Sequence, residues 1–118
     1  MSCRILVEST DSSRVFRLEG SDFLPAQQAE FRSIFRELLQ PPSTLPVIID
    51  TTRLGLVGSC CLSSVIELAM LCHKQGVPVG IVETRSSTLD VFDVVSIHSI
   101  VPVFLTVDEA VLTLKNGG

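Results

Sequence analysis

VIIDTTRLGLVGSCCLSSVIELAMLCHK, residues 47–74, is the stretch whose reading decides the fold. Val47–Ile49 form a short, unbroken apolar run, the pattern of a central strand covered on both faces. The strand is expected to end in Asp50 and, after a short connection, to give way past Gly58 to a helix that is apolar almost all round. Cys61, Val65, Leu68 and Cys72 make one stripe of that helix and Leu62, Ile66 and Met70 a neighbouring one. Only Ser63, Ser64, Glu67 and Lys74 are left for solvent, and Gly76 fits the stop position. A helix that starts just after a strand presents unpaired backbone N–H groups and a partial positive charge. An anionic group there, phosphate or thiolate, is favoured. A functional site is therefore expected between Gly58 and Ser64.

On the N-terminal side, Arg4–Glu8 and Val15–Glu19 are strand-like and are joined by the turn-rich STDSSR, which predicts a β-hairpin. Ser21 or Asp22 is expected to cap a helix with Pro25 in its first turn. Phe31, Ile34, Phe35, Leu38 and Leu39 give that helix one apolar face, and Pro41 and Pro42 end it. On the C-terminal side, Val77–Val82 reads as a buried strand. Ser87-x-x-Asp90 resembles a capping box for a short helix with Leu89, Phe92 and Val95 inward. Val101–Leu105 is the last strand, near a sheet edge because of Pro102. Thr106-x-x-Glu109 is a second capping box, with Val107, Ala110, Val111 and Leu114 facing the core. The order β-β-α-β-α-β-α-β-α predicts an α/β fold with four helices. Its sheet is mixed, with a parallel core and an antiparallel N-terminal hairpin at the edge. One domain is expected over 1–115, with a flexible tail at 116–118.

Composition removes several classes of function. With 118 residues, 46% apolar and 5% aromatic content and no Trp or Tyr, the core must pack on aliphatic side chains. No apolar run approaches the ~18–20 residues that span a bilayer, and MSCRILVEST is no secretory signal. A soluble, cytoplasmic protein without membrane insertion is expected. A formal charge of −4 and no Lys/Arg cluster argue against nucleic acid. The cysteines, Cys3, Cys60, Cys61 and Cys72, include no C-x-x-C, and the histidines are His73 and His98, so no metal site is predicted. Vicinal Cys60 and Cys61 could pair only with strain, which makes reduced thiols the default. Gly55-x-x-Gly58 lacks the lysine and spacing of a phosphate loop, and no nucleophile has a base at readable spacing. No cofactor and no catalysis are expected.

The order of elements, with these residues, resembles the STAS domain (sulphate transporter and anti-sigma factor antagonist). The resemblance is carried by VIIDTT at 47–52, VGSCCLS at 57–63, GVPVGIVE at 76–83 and IVPVFLTVDEAVLTL at 100–114, nearly the whole chain. Bacterial anti-sigma factor antagonists of this family carry Asp-Ser-Ser-Gly at the strand-to-helix junction, and a partner kinase phosphorylates the second Ser to switch binding off. Here Gly58 falls at the Asp, Ser59 at the first Ser, Cys60 at the phosphoacceptor and Cys61 at the Gly. A thiol does not replace the serine hydroxyl as an ordinary kinase substrate. Asp11-Ser12-Ser13 spells part of the same motif, but it sits in the hairpin turn.

The resemblance implies a non-catalytic regulatory module, a STAS-like anti-sigma factor antagonist not switched at the usual serine. Its alternative is an accessory subunit of a transport complex, such as a lipid-transport ATPase. The implied partner is an anti-sigma factor or serine-kinase-like protein, or another signalling or transport subunit, and a weak homodimer is allowed. The positions implied to meet the partner are Asp50, Gly58, Ser59, Cys60, Cys61 and Ser63, with Ser59 as the residual phosphorylation candidate. Each also has a plain structural reading. Ser59 is a helix N-cap or a partner contact. Cys60 is a thiol made acidic by the helix dipole or an inert small side chain. Cys61 and Cys72 are core residues, Ser63 and Ser64 solvated or helix-backbonded hydroxyls. Asp50 is a partner contact or an acceptor for the N–H groups of Thr52 or Arg53. His73 sits at a helix C-terminus, as a favourable dipole contact, and His98 in a loop.

Overall fold

A computed structural model describes residues 3–39 and 45–116. Strands β1 (Cys3–Ser9) and β2 (Arg14–Asp22) form the hairpin, closed by the Thr10 N–H donating to the Ser13 carbonyl at 2.9 Å. Next come α1 (Pro25–Leu38), β3 (Val47–Leu56), α2 (Ser59–Gln75), β4 (Val79–Val82) and α3 (Ser86–Val94). A 3-10 turn (Ile97–Ser99), β5 (Val103–Phe104) and α4 (Val107–Lys115) complete the order. The sheet runs β1-β2-β3-β4-β5, antiparallel at β1–β2 and parallel thereafter, so Val47–Ile49 lie in its central strand.

The two faces of the sheet bury different partners because strand side chains alternate. Phe16, Leu18, Val47, Ile49, Val79 and Ile81 pack in one cluster with Phe31 and Phe35 of α1 and Cys61, Val65, Leu68 and Cys72 of α2. The core is not purely aliphatic as composition suggested, because the few phenylalanines are gathered inside it: Phe31 is the hub of an aromatic part, with edge-to-face contacts to Phe16, Phe23 and Phe35 at 5.2, 5.9 and 5.4 Å between ring centres. Val15, Ile48, Val82 and Phe104 turn to the other face, where Ala110 and Leu114 of α4 cover them. The smaller lid leaves the β1 end of that face to solvent and to charge.

Several boundaries differ from the sequence reading. The central strand does not end at Asp50 but runs on to Leu56, held there by β2. A bulge between Arg17 and Glu19 shifts the register, so that Arg17 aligns with Asp50 but Glu19 with Arg53. Strand pairing extends β2 through Ser21 and Asp22, so neither caps α1. Leu24 takes the N-cap position with Pro25 first in the helix, and the Gln27 side chain accepts the Leu24 N–H at 3.0 Å. The expected stop at Pro41 and Pro42 lies outside the described residues. At the other end of the chain, β4 begins at Val79 and β5 shrinks to Val103–Phe104.

Of the two expected capping boxes, one forms and one does not. At α3 Arg85, not Ser87, precedes the first turn without a side-chain cap, and Val95 is 45% exposed rather than inward. At α4 Thr106 Oγ1 accepts the Glu109 N–H at 3.0 Å, and the Glu109 carboxylate reaches back to the Leu105 N–H at 3.2 Å. Gly76 ends α2 with φ 72°, the left-handed conformation that favours glycine. Asn116 ends α4, and residues 117–118 of the expected tail lie outside the described residues.

Candidate functional site

The end of β3 projects beyond its neighbour. Pairing with β4 stops at Asp50–Val82, while β3 continues six residues further, from Thr51 to Leu56, along β2 alone. Such an overhang leaves carbonyls without ladder partners. Arg85 supplies them: its guanidinium donates to the Thr51 carbonyl at 2.8 Å and to the Gly55 carbonyl at 3.3 Å. Gly55 is required on the other side, since a Cβ there would stand 2.9 Å from the Ser21 carbonyl oxygen. A two-residue connection, Val57–Gly58, then turns the chain into α2.

Glu83 anchors Arg85. Its carboxylate is fully buried, yet it accepts from Thr51 Oγ1 at 2.7 Å, from the backbone N–H groups of Thr84 and Arg85 at 2.9 and 3.0 Å, and from the Arg85 guanidinium at 2.9 and 3.1 Å. Burial alone would push this carboxyl up, but these donors outweigh it and hold it below its ordinary value. The charge reaches the Cys61 thiol in the first turn of α2, which burial first, then Cys3 and Glu83, push up to about 12. Thr51, Glu83 and Arg85 therefore brace the β3 overhang that leads into α2. The sequence reading missed all three, because a glutamate after an apolar strand gives no sign that an arginine two residues on will turn back over it.

The helix start itself is only partly as expected. Gly58 is the N-cap, in extended conformation, and Ser59 is the first helical residue, exposed and without a cap bond. Ser59 was read as the cap because a hydroxyl normally takes that role. Here Gly58 holds that position in extended conformation, and the Ser59 oxygen is not committed to backbone donors. Cys60 is half-buried, Cys61 buried and Ser63 exposed on the next turn. Ser64, expected in solvent, is buried, and its hydroxyl has no partner. Leu56 stands 61% exposed beside the junction. Beyond β4, α3 carries Val91 and Val94, 39% and 84% exposed.

Asp50 lies away from this start, 8% exposed, on the α4 face of the sheet. It accepts from the Thr52 N–H at 2.9 Å and the Thr52 hydroxyl at 2.7 Å, as the structural reading required, and from Arg17 Nη1 at 2.8 Å. Arg17 also donates to Glu8 at 2.8 Å. Gly58, Ser59, Cys60, Cys61 and Ser63 thus form one locality and Asp50 another. The histidines are apart from both: His73 Nε2 donates to the Ile100 carbonyl at 2.7 Å, and His98 bonds Asp93 at 2.8 Å. Among the described residues no group of three His, Cys, Asp or Glu side chains is placed to hold a metal ion, and no helix is long and apolar enough to cross a membrane.

The family model of the STAS domain matches residues 4–110 of this chain. Among solved structures, an anti-sigma factor antagonist from Mycobacterium paratuberculosis superposes with a TM-score of 0.77 at 21% identity, covering 97% of this chain and 94% of that one. An anti-sigma-factor antagonist (STAS) domain protein from Planctomyces limnophilus gives 0.74 at 16% identity, covering 97% and 98%. At these identities the likeness carries the fold alone. No curated protein matches the chain in sequence.

Proposed function

Because the chain belongs to the STAS domain family, we propose that it acts as a protein-binding regulatory module whose docking surface centres on the start of α2. The observation that carries this reading is the braced overhang: the β3 extension held by Arg85 ends in exposed Leu56, three residues before exposed Ser59 at the start of α2. A large apolar side chain beside unpaired N–H donors suits a protein surface better than a small ligand. The partner class is an anti-sigma factor kinase or a related signalling subunit, as the resemblance to the family implies.

Binding is not switched off at the family's phosphoacceptor position, because Cys60 offers no hydroxyl there and Gly58 no carboxylate beside it. Ser59 is the exposed hydroxyl of the first turn and the acceptor a kinase would reach if the switch had moved by one residue. The test is titration calorimetry against the anti-sigma factor kinases of the native cell, with and without ATP, followed by mapping of phosphate by mass spectrometry. Saturable binding that survives ATP is expected, with Leu56→Asp weakening it at least tenfold, about 1.4 kcal/mol. Stoichiometric phosphate on Ser59 or Ser63 that abolishes binding would overturn the unswitched reading; binding to none of the kinases would overturn the choice of partner.

A further inference from the structure

We infer that β1 is a self-association edge, which pairs antiparallel with β1 of a second copy about a two-fold axis at Leu6. The strand is the first of the sheet and, among the described residues, has no strand on its outer side. Natural sheets blunt such edges with proline, bulges or charged side chains. Here seven residues, CRILVES, run without proline or a bulge, in unbroken register with β2 from Cys3–Gly20 to Ser9–Arg14, and their two charges, Arg4 and Glu8, are of opposite sign.

The hydrogen-bond phase selects the register. The Thr10 N–H bonds the Ser13 carbonyl across the hairpin, and antiparallel pairs alternate between bonded and non-bonded. Counting back along the register, Glu8, Leu6 and Arg4 direct their backbone groups inward to Val15, Arg17 and Glu19. Cys3, Ile5, Val7 and Ser9 therefore direct theirs outward. A two-fold axis at Leu6 places Ile5 opposite Val7 of the second copy and Cys3 opposite Ser9, so outward groups meet outward groups at every pair.

The side chains agree with that register. Arg4 and Glu8 flank Leu6 at equal spacing, so the axis sets Arg4 against Glu8 of the second copy twice, as in any isologous interface. Leu6 and Val7, 39% and 37% exposed, meet Leu6 and Ile5. On the face that α4 leaves open, each chain already carries an ordered row of charges: Asp50–Arg17 at 2.8 Å, Arg17–Glu8 at 2.8 Å, Arg4–Glu19 at 3.4 Å and Glu19–Arg53 at 4.0 Å. Pairing joins the two halves into one row of strictly alternating sign: Asp50, Arg17, Glu8, then Arg4, Glu19 and Arg53 of the second copy. A second copy of this chain is thus the occupant that both the backbone and the charges fit, by strand addition.

Sedimentation equilibrium of the full chain from about 10 μM to about 1 mM, the range of weak association, tests this. Reversible dimerisation is expected, weakening as salt rises. Val7→Pro removes only an outward N–H and leaves the bonds to β2 intact, so it should keep the thermal midpoint of the monomer and raise the dimer dissociation constant at least tenfold. Arg4→Glu should also raise the dissociation constant, by setting carboxylates face to face across the axis. A wild type monomeric throughout, or a dimer indifferent to Val7→Pro, would overturn the inference.

Discussion

The buried carboxylate of Glu83 and the guanidinium of Arg85, two residues apart, meet through two contacts, Nε to Oε2 at 3.1 Å and Nη2 to Oε1 at 2.9 Å. The same guanidinium holds the Thr51 carbonyl, so the end of β4, the overhang of β3 and the start of α3 share one clasp. Arg85→Ala should destabilise the fold by about 2–3 kcal/mol, less than for a fully buried pair because the arginine is a third exposed. Arg85→Lys should recover little of it, since an ammonium cannot serve the carboxylate and two carbonyls in one plane. Urea unfolding midpoints at constant slope measure the loss.

Acid should act through the same clasp. Glu83 is held below its ordinary value of 4.5, so the stability it contributes is present above that value and is lost as pH falls through the lower folded value. Wild type should therefore lose stability progressively below about pH 4.5, and Glu83→Gln should show a shallower acid slope from a lower neutral-pH plateau. Denaturation curves collected from neutral pH down to pH 3 decide this. Equal slopes in the two proteins would assign the acid loss to other carboxylates.

The four thiols should separate by burial. Cys3, Cys61 and Cys72 are buried and Cys60 half-buried. Burial pushes Cys61 and Cys72 up to about 12, so they hold almost no thiolate at neutral pH. Iodoacetamide on the native protein should label Cys60 first and reach Cys61 and Cys72 only on unfolding. Mass spectrometry of digests taken along the time course gives the order; labelling of Cys61 at the rate of Cys60 would show that the first turn of α2 opens.

What could be read from sequence was what periodicity encodes. The stripe of Cys61, Val65, Leu68 and Cys72 and the run Val47–Ile49 named the faces that are buried, because their spacing reflects a geometry each element has alone. The reach of β3 past Asp50 was not legible, since Thr51–Leu56 gain their strand partner only from β2, more than 30 residues earlier. Asp50 is half a case: its bond to the Thr52 N–H is local and was foreseen, whereas Arg17 arrives through a sheet register that no local pattern announces. The start of α2 was placed within a residue, yet its cap was misassigned, because propensity favours serine over glycine whereas Gly58 takes the cap position. Residues that carry a site through tertiary contact leave no period behind them.

A charge at Ser59 separates folding from binding. The residue is exposed, first in α2 and free of any cap bond, so a carboxylate there meets the positive end of the helix without losing an existing contact. Ser59→Asp should stabilise the isolated chain by about 0.3–1 kcal/mol at low salt, less as salt rises. If the start of α2 is the docking surface, the same substitution adds charge and bulk beside Leu56 and should weaken partner binding at least tenfold while the thermal midpoint rises. Ser59→Ala should change neither quantity strongly, since the hydroxyl has no bond in the fold to lose. Opposite movements of stability and affinity in Ser59→Asp cannot come from damage to the fold. An unchanged affinity for the partner would move the docking surface off this helix start.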